Sequence, residues 1–448
     1  MNSEDNSPSK ESVLERAKSP TRREFVKTAA VAAASLAAGS LISCRSTAPA
    51  AARTIKIGYV SPKTGKLSAF AEADDFVIGG VRKVIGDGLV INGTKYPVVI
   101  IEKDSQSDPN RAAEVASSLI KVDKIDLMLT GNSPENVNPV ADQCELNQIP
   151  CVSDDAPWQP YYFGRGGKPD KGFDWTYHFF WGAEDLAAVY TNLWLSLPTN
   201  KIVGALWGND ADGNAFGDAA HGFPPVLKQL GFKLIDTGRF PPDTNEFSAQ
   251  IGAFKKAKVE ILTGVLPAPA FATFWSQAAQ QGFTPKIATI AKALLFPSAV
   301  ENLGPRGLYL STEQWWSPLH PFKSGLTGQT AKELCAEFEA KTGKEWTASL
   351  GFKHANFEVG IDVLKRTKDI NSNKSIIEAV RSTDYNSVVG PVNWNKSPYG
   401  NPVKNVCKTP LVGGQWVKGT KFMYDLVIVN NKTAPVIPEQ AKLQYLPK

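Results

Sequence analysis

Thr54-Ile55-Lys56-Ile57-Gly58-Tyr59-Val60 alternates along its length and is rich in β-branched residues. That pattern predicts a strand. Residues 96–102 (YPVVIIE) repeat the signal. Asp108-Pro109 then opens a helix, since Asp caps and Pro suits a first turn. Ala112, Val115, Ala116, Leu119 and Ile120 fall on one apolar face of it. Residues 125–130 read as a third strand, 137–146 as a helix and 149–153 as a fourth strand. Strands alternating with helices predict a parallel sheet covered on both faces.

The rhythm breaks over 156–176, a Pro/Gly/aromatic stretch, and then restarts. Residues 183–195 read as a helix and 201–206 as a strand. A helix follows around Phe216, and Gly222 with Pro224-Pro225 divides it into two pieces. Leu234-Ile235 lies in a strand, 247–256 in a helix and 259–262 in a strand. A helix over 271–281 is closed by Gly282, and 287–290 is a strand. Two such sets predict two α/β lobes. Beyond them come helices around 330–341 and 356–366, and a strand pair, 388–394 with 424–429.

The N-terminus reads as an address. Arg22-Arg23 precede an uncharged run, 28–43, that ends Leu41-Ile42-Ser43-Cys44. Basic, apolar and small residues in that order are the layout of an export signal. The run is sixteen residues, seven of them alanine. A membrane span needs about 20 apolar residues. The arginine pair resembles a twin-arginine signal. The ending resembles a bacterial lipobox, in which Cys44 is lipidated and becomes the new N-terminus. The expected location is the cell envelope, in the periplasm or on the outer face of the cytoplasmic membrane, with a lipid anchor. One acyl chain holds a protein only marginally, so stable anchoring needs several.

Removing 1–43 leaves 405 residues, which suits two domains of about 150–200. The net charge of +5 drops only to +4, because the leader carries six basic and five acidic residues. A surplus that small, with no basic stripe, is no nucleic-acid footprint. Cys144, Cys151, Cys335 and Cys407 remain after Cys44. An oxidising compartment permits pairing, for instance Cys144 with Cys151, but four buried free thiols fit as well.

Local catalytic motifs are missing. The four histidines are scattered, and there is no HExxH, CxxC or GxSxG. Gly58 to Lys66 has six residues between its glycines where a phosphate loop has four, and Leu67 follows the lysine. The expectation is a protein that is not an enzyme and needs neither metal nor cofactor.

Residues 55–65 (IKIGYVSPKTG) resemble the opening strand and loop of the branched-chain amino-acid-binding proteins, the solute receptors of ABC importers. Residues 102–105 (EKDS) with the helix from Asp108 to Ile120 are similar to their second unit. Residues 131–141, then 149–153 (IPCVS), resemble their third and fourth strands, and 390–394 (GPVNW) their late crossover strand. The resemblance covers roughly 54–430 in order. It implies the type I periplasmic-binding-protein fold: two doubly wound α/β lobes joined by three crossing hinge segments. A linker over 44–53 would lead to lobe 1, formed by 54–180 with 314–390. Lobe 2 would be 181–313 with 391–448. The ligand would lie between them, at strand C-terminal ends, and closure of the hinge would accompany binding.

Carried over residue by residue, the resemblance implies these ligand contacts. Phe70 would pack on the ligand. Asn132 and Ser133 would stand at a helix N-terminus that receives a carboxylate. Asp155, Ala156 and Trp158 would lie in a presenting loop, where Pro157 replaces the family's Ser/Thr. Trp181 would follow the first crossover, beside Glu184. Asp212 stands where the second lobe offers an aromatic. Pro267 and Ala268 fall in a contact loop, and Lys292 falls where leucine binders keep an acid. Lys292 should face either Asp155 or an anionic group on the ligand, or point to solvent. Trp158, Trp181, Trp207, Trp315 and Trp316 all lie near cleft loops, more aromatic area than an aliphatic amino acid requires.

The implied function is capture of a small organic solute (an amino acid, an aromatic or other organic acid, or an amide) and delivery to an ABC permease, with no enzymatic step. The alternative is a sensory lipoprotein of the same fold that signals to a membrane partner. A monomer is expected.

Overall fold

The computed structural model of the protein describes residues 53–241 and 243–447. Arg22, Arg23 and Cys44 lie outside them. The described chain is two sheets with helices on both faces of each, as the alternation predicts.

Strands β1 (Ile55–Ser61), β4 (Val98–Asp104), β5 (Leu127–Thr130), β6 (Cys151–Ser153) and β7 (Thr176–Phe179) form the first sheet. Between β1 and β4 the chain makes a small hairpin, β2 (Leu89–Ile91) with β3 (Thr94–Tyr96). The sheet order is β15-β7-β6-β5-β1-β4, with β15 at Val406–Cys407, and every pairing is parallel. Strands β5, β6 and β7 are buried along their whole length, as in a sheet covered twice. The second sheet takes β8 (Ile202–Gly208), β9 (Lys233–Phe240), β10 (Ile261–Val265), β11 (Ile287–Ala291), β12 (Ser311–Gln314), β16 (Val412–Lys418) and β17 (Tyr424–Asn430). Its order is β17-β16-β12-β11-β10-β8-β9, parallel except for β16, which runs antiparallel to both neighbours.

Helices α1 (Asp74–Ile85), α2 (Pro109–Ser118), α3 (Pro134–Asn147) and α4 (Trp158–Gly164) belong to the first set. Helix α2 starts as its sequence predicts: the Asp108 carboxylate accepts from the Arg111 N–H at 2.8 Å. The second set holds α5 (Ala183–Trp194), α6 (Ala211–Phe216), α7 (Phe223–Gln229), α8 (Ser248–Ala257), α9 (Ala268–Gln280) and α10 (Pro297–Glu301). Helices α6 and α7 are the two pieces that Gly222 and the prolines divide. Then α11 (Ala331–Thr342), α12 (Ala348–Arg366) and α13 (Asn373–Arg381) follow. Helix α12 is buried on nearly all sides and packs on α1, β5 and β6. One apolar cluster passes between the sheets through Phe180, Trp181, Trp315 and Phe352, and two others fill the far faces.

The chain crosses between sheets three times, near 180–182, after β12 and between β15 and β16. The last crossing falls later than expected. Residues 391–407 stay with the first sheet, because β15 pairs with β7. The expected pairing of 388–394 with 424–429 is also not what forms. Gly390–Asn393 (β14) turns back on Asp384–Ser387 (β13), and β17 pairs with β16. Two glycines hide β16 from a strand reading. A Cβ at Gly413 would meet Leu193 at 2.8 Å, and one at Gly414 would meet Leu426 at 2.9 Å. Close packing, together with a bulge between the two, requires them.

The cysteines Cys144, Cys151, Cys335 and Cys407 are free and buried. Among the described residues no helix is long and apolar enough to cross a membrane.

Candidate functional site

The C-terminal ends of both sheets face one another across a narrow cavity of about 30 Å3. From the first sheet come Phe70, Ser133, Asp155, Pro157, Phe180 and Trp181. From the second come Asp212, Phe216, Val265, Ala291, Lys292, Leu295, Glu313 and Trp315. Each lies in a short segment that follows a strand, or ends one, as in open α/β sheets generally.

The backbone there is unusual. Asn132 (φ 78°), Ser133 (φ 85°), Asp155 (φ 52°) and Lys292 (φ 67°) all occupy positive φ without being glycine. They are the turns after β5, β6 and β11. Such residues cost about 1–3 kcal/mol each and persist where the surroundings hold them, commonly around ligands.

Lys292 is 5% exposed and bridges the lobes. Its Nζ donates to Glu135 Oε1 at 2.9 Å and Oε2 at 3.2 Å, and to Asp212 Oδ2 at 2.9 Å. Glu135 stands in the first turn of α3, where the helix N-terminus also favours an acid. Sequence reasoning offered Asp155, the ligand or solvent as what Lys292 faces. Instead Glu135, 157 residues away, reaches across from the opposite lobe, and Asp212 supports it from its own. Burial acts to raise the Glu135 carboxyl, but the charge and hydrogen bonds of Lys292 outweigh it and hold that carboxyl below its usual range. Burial, with repulsion from Glu135 and Asp210, pushes Asp212 up to about 7 despite Lys292. Of the two carboxylates on Lys292, Asp212 is thus the one pushed toward its protonated form.

Asp155 is 3% exposed, and neither carboxylate oxygen has a hydrogen-bond partner. The Ser349 hydroxyl is near, but not in hydrogen-bonding geometry. Burial pushes Asp155 up to about 7, partly offset by the charge of Lys353. Lys353 is committed elsewhere: its Nζ is 3.0 Å from Asp74 Oδ1 and donates to Asn132 Oδ1 at 2.5 Å and Tyr59 OH at 3.1 Å. Glu313 accepts from Tyr190 OH at 2.5 Å and Thr312 Oγ1 at 2.8 Å, and burial pushes it up to about 7. The indole N–H groups of Trp181 and Trp315 are buried without acceptors.

Of the expected residues, Phe70, Ser133, Asp155, Trp181, Asp212 and Lys292 line the cavity. Phe70 meets Phe296 of the facing lobe edge-on, with centroids 4.7 Å apart. Asn132 does not line it: its amide donates to Ser61 Oγ at 3.0 Å and holds Lys353. Ala156 is fully buried, and its carbonyl accepts from His178 Nε2 at 2.7 Å. Trp158 turns to a separate groove and donates to Glu184 Oε1 at 3.0 Å. Pro267 and Ala268 begin α9, and Val265, at the end of β10, takes the place in the wall expected of them. Glu135, Phe180, Phe216 and Glu313 were missed. Glu135 had a signal, an acid one residue after a proline in a helix's first turn. Phe180 had one too, an aromatic beside Trp181. Among the described residues no group of three or more His, Cys, Asp or Glu side chains could hold a metal ion.

The same architecture occurs in solved structures. A leucine-binding protein of Thermotoga maritima superposes with a TM-score of 0.67 at 20% identity, over 84% of this chain and 99% of that one. A solute-binding protein of an ABC transporter from Rhodopseudomonas palustris, in complex with 3,4-dihydroxybenzoic acid, gives 0.66 at 18% identity, over 85% and 99%. A branched-chain amino-acid transporter substrate-binding protein of Streptococcus pneumoniae, with isoleucine, gives 0.63 at 15%, over 84% and 99%. At these identities the likeness is one of fold. A family profile described as periplasmic binding protein matches residues 54–412. The chain belongs to the periplasmic binding protein family, whose members are solute-binding proteins and not enzymes.

Proposed function

We propose that the protein is an exported solute receptor, tethered through a lipid on Cys44, that hands a small organic solute to the permease of an ABC importer. Lobe 1 is 54–182 with 315–407, lobe 2 is the remainder to 448, and the solute site is the cavity between them. The observation that carries this is the cavity's wall. It draws on both lobes, holds four aromatic rings besides Phe70, and leaves buried polar groups at Asp155, Trp181 and Trp315 without partners. Other buried side chains, such as Gln314 and Thr347, lack partners too; these three gather on one cavity walled by both lobes, where a bound molecule can complement them. The void left between the lobes in this conformation is about 30 Å3, well under the ligand-pocket range of about 300–1,000 Å3, so the lobes must part to admit the solute.

The contacts assigned to the solute are Phe70, Ser133, Asp155, Trp181, Asp212, Lys292, Phe180, Phe216, Glu313 and Trp315. Asn132 and Ala156 support the loops rather than touch the solute. A ligand closes a hinge only if it contacts both lobes better in the closed state. The test is a melting-temperature screen of the full chain against amino acids, aromatic acids, amines and amides, with solution scattering on each hit. Ligand at 100 times its Kd adds about 2.7 kcal/mol and raises the melting temperature. A hit should also reduce the radius of gyration. A broad screen with no stabilising solute refutes the reading.

A further inference from the structure

The cavity's charges are matched on one side only. Lys292 lies between Glu135 and Asp212, and Lys353 donates to Asn132 and Tyr59 and pairs with Asp74. Lys292 on the cavity wall and Lys353 behind it are both paired, so an anionic solute would have to displace a carboxylate. Asp155 is the reverse case. It is nine-tenths buried and more, it lines the cavity, and both its oxygens lack partners. A buried carboxylate left this way is costly unless something in the site pairs with it. The rings nearby suit a cation as well. Phe180 packs on Trp181 with centroids 4.7 Å apart and on Trp315 at 5.0 Å, and these rings line the same void. Aromatic faces attract cations, Trp most strongly.

We infer that the solute is a cationic amine without a carboxylate, its ammonium on Asp155 and its apolar body against Phe180, Trp181, Phe216 and Trp315. This rests on the cavity being the solute site. The unpartnered indole N–H groups of Trp181 and Trp315 add one feature: the same solute carries a neutral acceptor, such as an amide or hydroxyl oxygen. A carboxylate in that place would face Glu313 and Asp212.

Three pairs of matched probes test it by calorimetry on the full chain. Leucinamide and phenylalaninamide carry the amine and a neutral acceptor. Leucine and phenylalanine add the carboxylate, and 4-methylpentanoate and 3-phenylpropanoate lack the amine. The amides should bind and compact the protein, the zwitterions at least roughly tenfold more weakly, and the acids not at all. Asp155→Asn keeps the shape and should weaken amide binding about ten- to a hundredfold, the scale of a charge-assisted hydrogen bond. It removes an unpaired buried charge, so it should melt no lower than the native chain. The native chain supplies a second readout. Asp155 faces Asp154 on its own loop, Lys353 and Ser349 on α12 and Asp74 on α1. It must lose its proton to hold an ammonium, so amide binding at about pH 6, where the probe's amine is already protonated, should release a proton, read from buffers of differing ionisation heat. Tightest binding by the zwitterions or acids overturns the inference. So does native amide affinity in Asp155→Asn, or no binding by any of the six at millimolar concentration. If an acid or zwitterion compacts the protein, the receptor reading stands and only the amine falls. If no solute of any class does, both fall.

Discussion

Lys292→Met removes the charge that joins the lobes and nearly keeps the side chain's length. Each of its two shortest contacts is 2.9 Å. At an effective dielectric of 20 such a pair attracts by roughly 6 kcal/mol before the cost of desolvation. Desolvation cancels much of that. What remains on deletion is two buried carboxylates with no cation, and breaking a buried pair in this way costs about 3–5 kcal/mol. Asp212 softens the loss, since burial and its acidic neighbours push it up to about 7 and it can take a proton. The expected destabilisation is therefore about 3 kcal/mol at neutral pH, and less at pH 5, where Asp212 is protonated.

The two contacts divide the effect. The Glu135 contact crosses between lobes, and the Asp212 contact stays within one. Glu135→Gln should thus act on closure rather than on the folding of either lobe. Losing a charged hydrogen bond of about 1.5–3 kcal/mol moves an open–closed equilibrium roughly ten- to a hundredfold toward open. Urea denaturation measures the first quantity, and solution scattering of the ligand-free protein measures the second. Both single variants should show a larger radius of gyration than the native chain. The double variant, Glu135→Gln with Lys292→Met, should be no worse than Lys292→Met alone, because the shared contact is already gone. A ligand-free radius unchanged in both variants, with additive stabilities, would falsify the bridge as an inter-lobe latch.

Phe70→Ala removes a ring that touches both the cavity and Phe296 of the other lobe, and should weaken solute binding by about 1.5–3 kcal/mol, read by calorimetry. Native affinity would leave Phe70 as scaffold. Cys44→Ala should release the protein from membranes, and Lys at both Arg22 and Arg23 should leave precursor in the cytoplasm; fractionation of cells checks each. Burial holds His178 and His320 neutral, pushed down to about 3. The unfolded chain takes up those protons at the ordinary histidine value, about 6.5, and the folded one does not. These two groups therefore cost stability progressively as pH falls below that value. His320→Gln should flatten the acid limb of the urea midpoint, and an unchanged limb rejects the assignment.

The elements of the fold were legible where local chemistry and tertiary demand agree. Residues 55–60 and 125–130 are buried apolar runs bounded by turns, and Asp108-Pro109 both caps and starts a helix. Strand β16 was illegible because Gly413 and Gly414 lower its propensity for the sake of Leu193 and Leu426, which contribute nothing local to the reading. The first sheet's claim on 391–407 was illegible for a similar reason, since β15 is two residues long and only its partner β7 makes it a strand.

The site divides along another line. Positions after strand ends can be counted, so Asp155, Asp212 and Lys292 were found. Directions cannot be counted. Asp155 and Trp158 are three residues apart on one loop, yet the first faces the cavity and the second a separate groove that residues of both lobes line. The turn between them is set by Asp155 at φ 52°. Glycine announces positive φ in a sequence far more plainly than Asn or Asp does. Here Asn132, Ser133, Asp155 and Lys292 adopt it while carrying side chains that a glycine would lack. A glycine at any of them would relieve the backbone and delete a polar group from the site or its support. That exchange is why the strain is retained: the loops give up local stability to aim a carboxylate, an ammonium and a hydroxyl into one small space, with the Asn132 amide bracing Lys353 behind it.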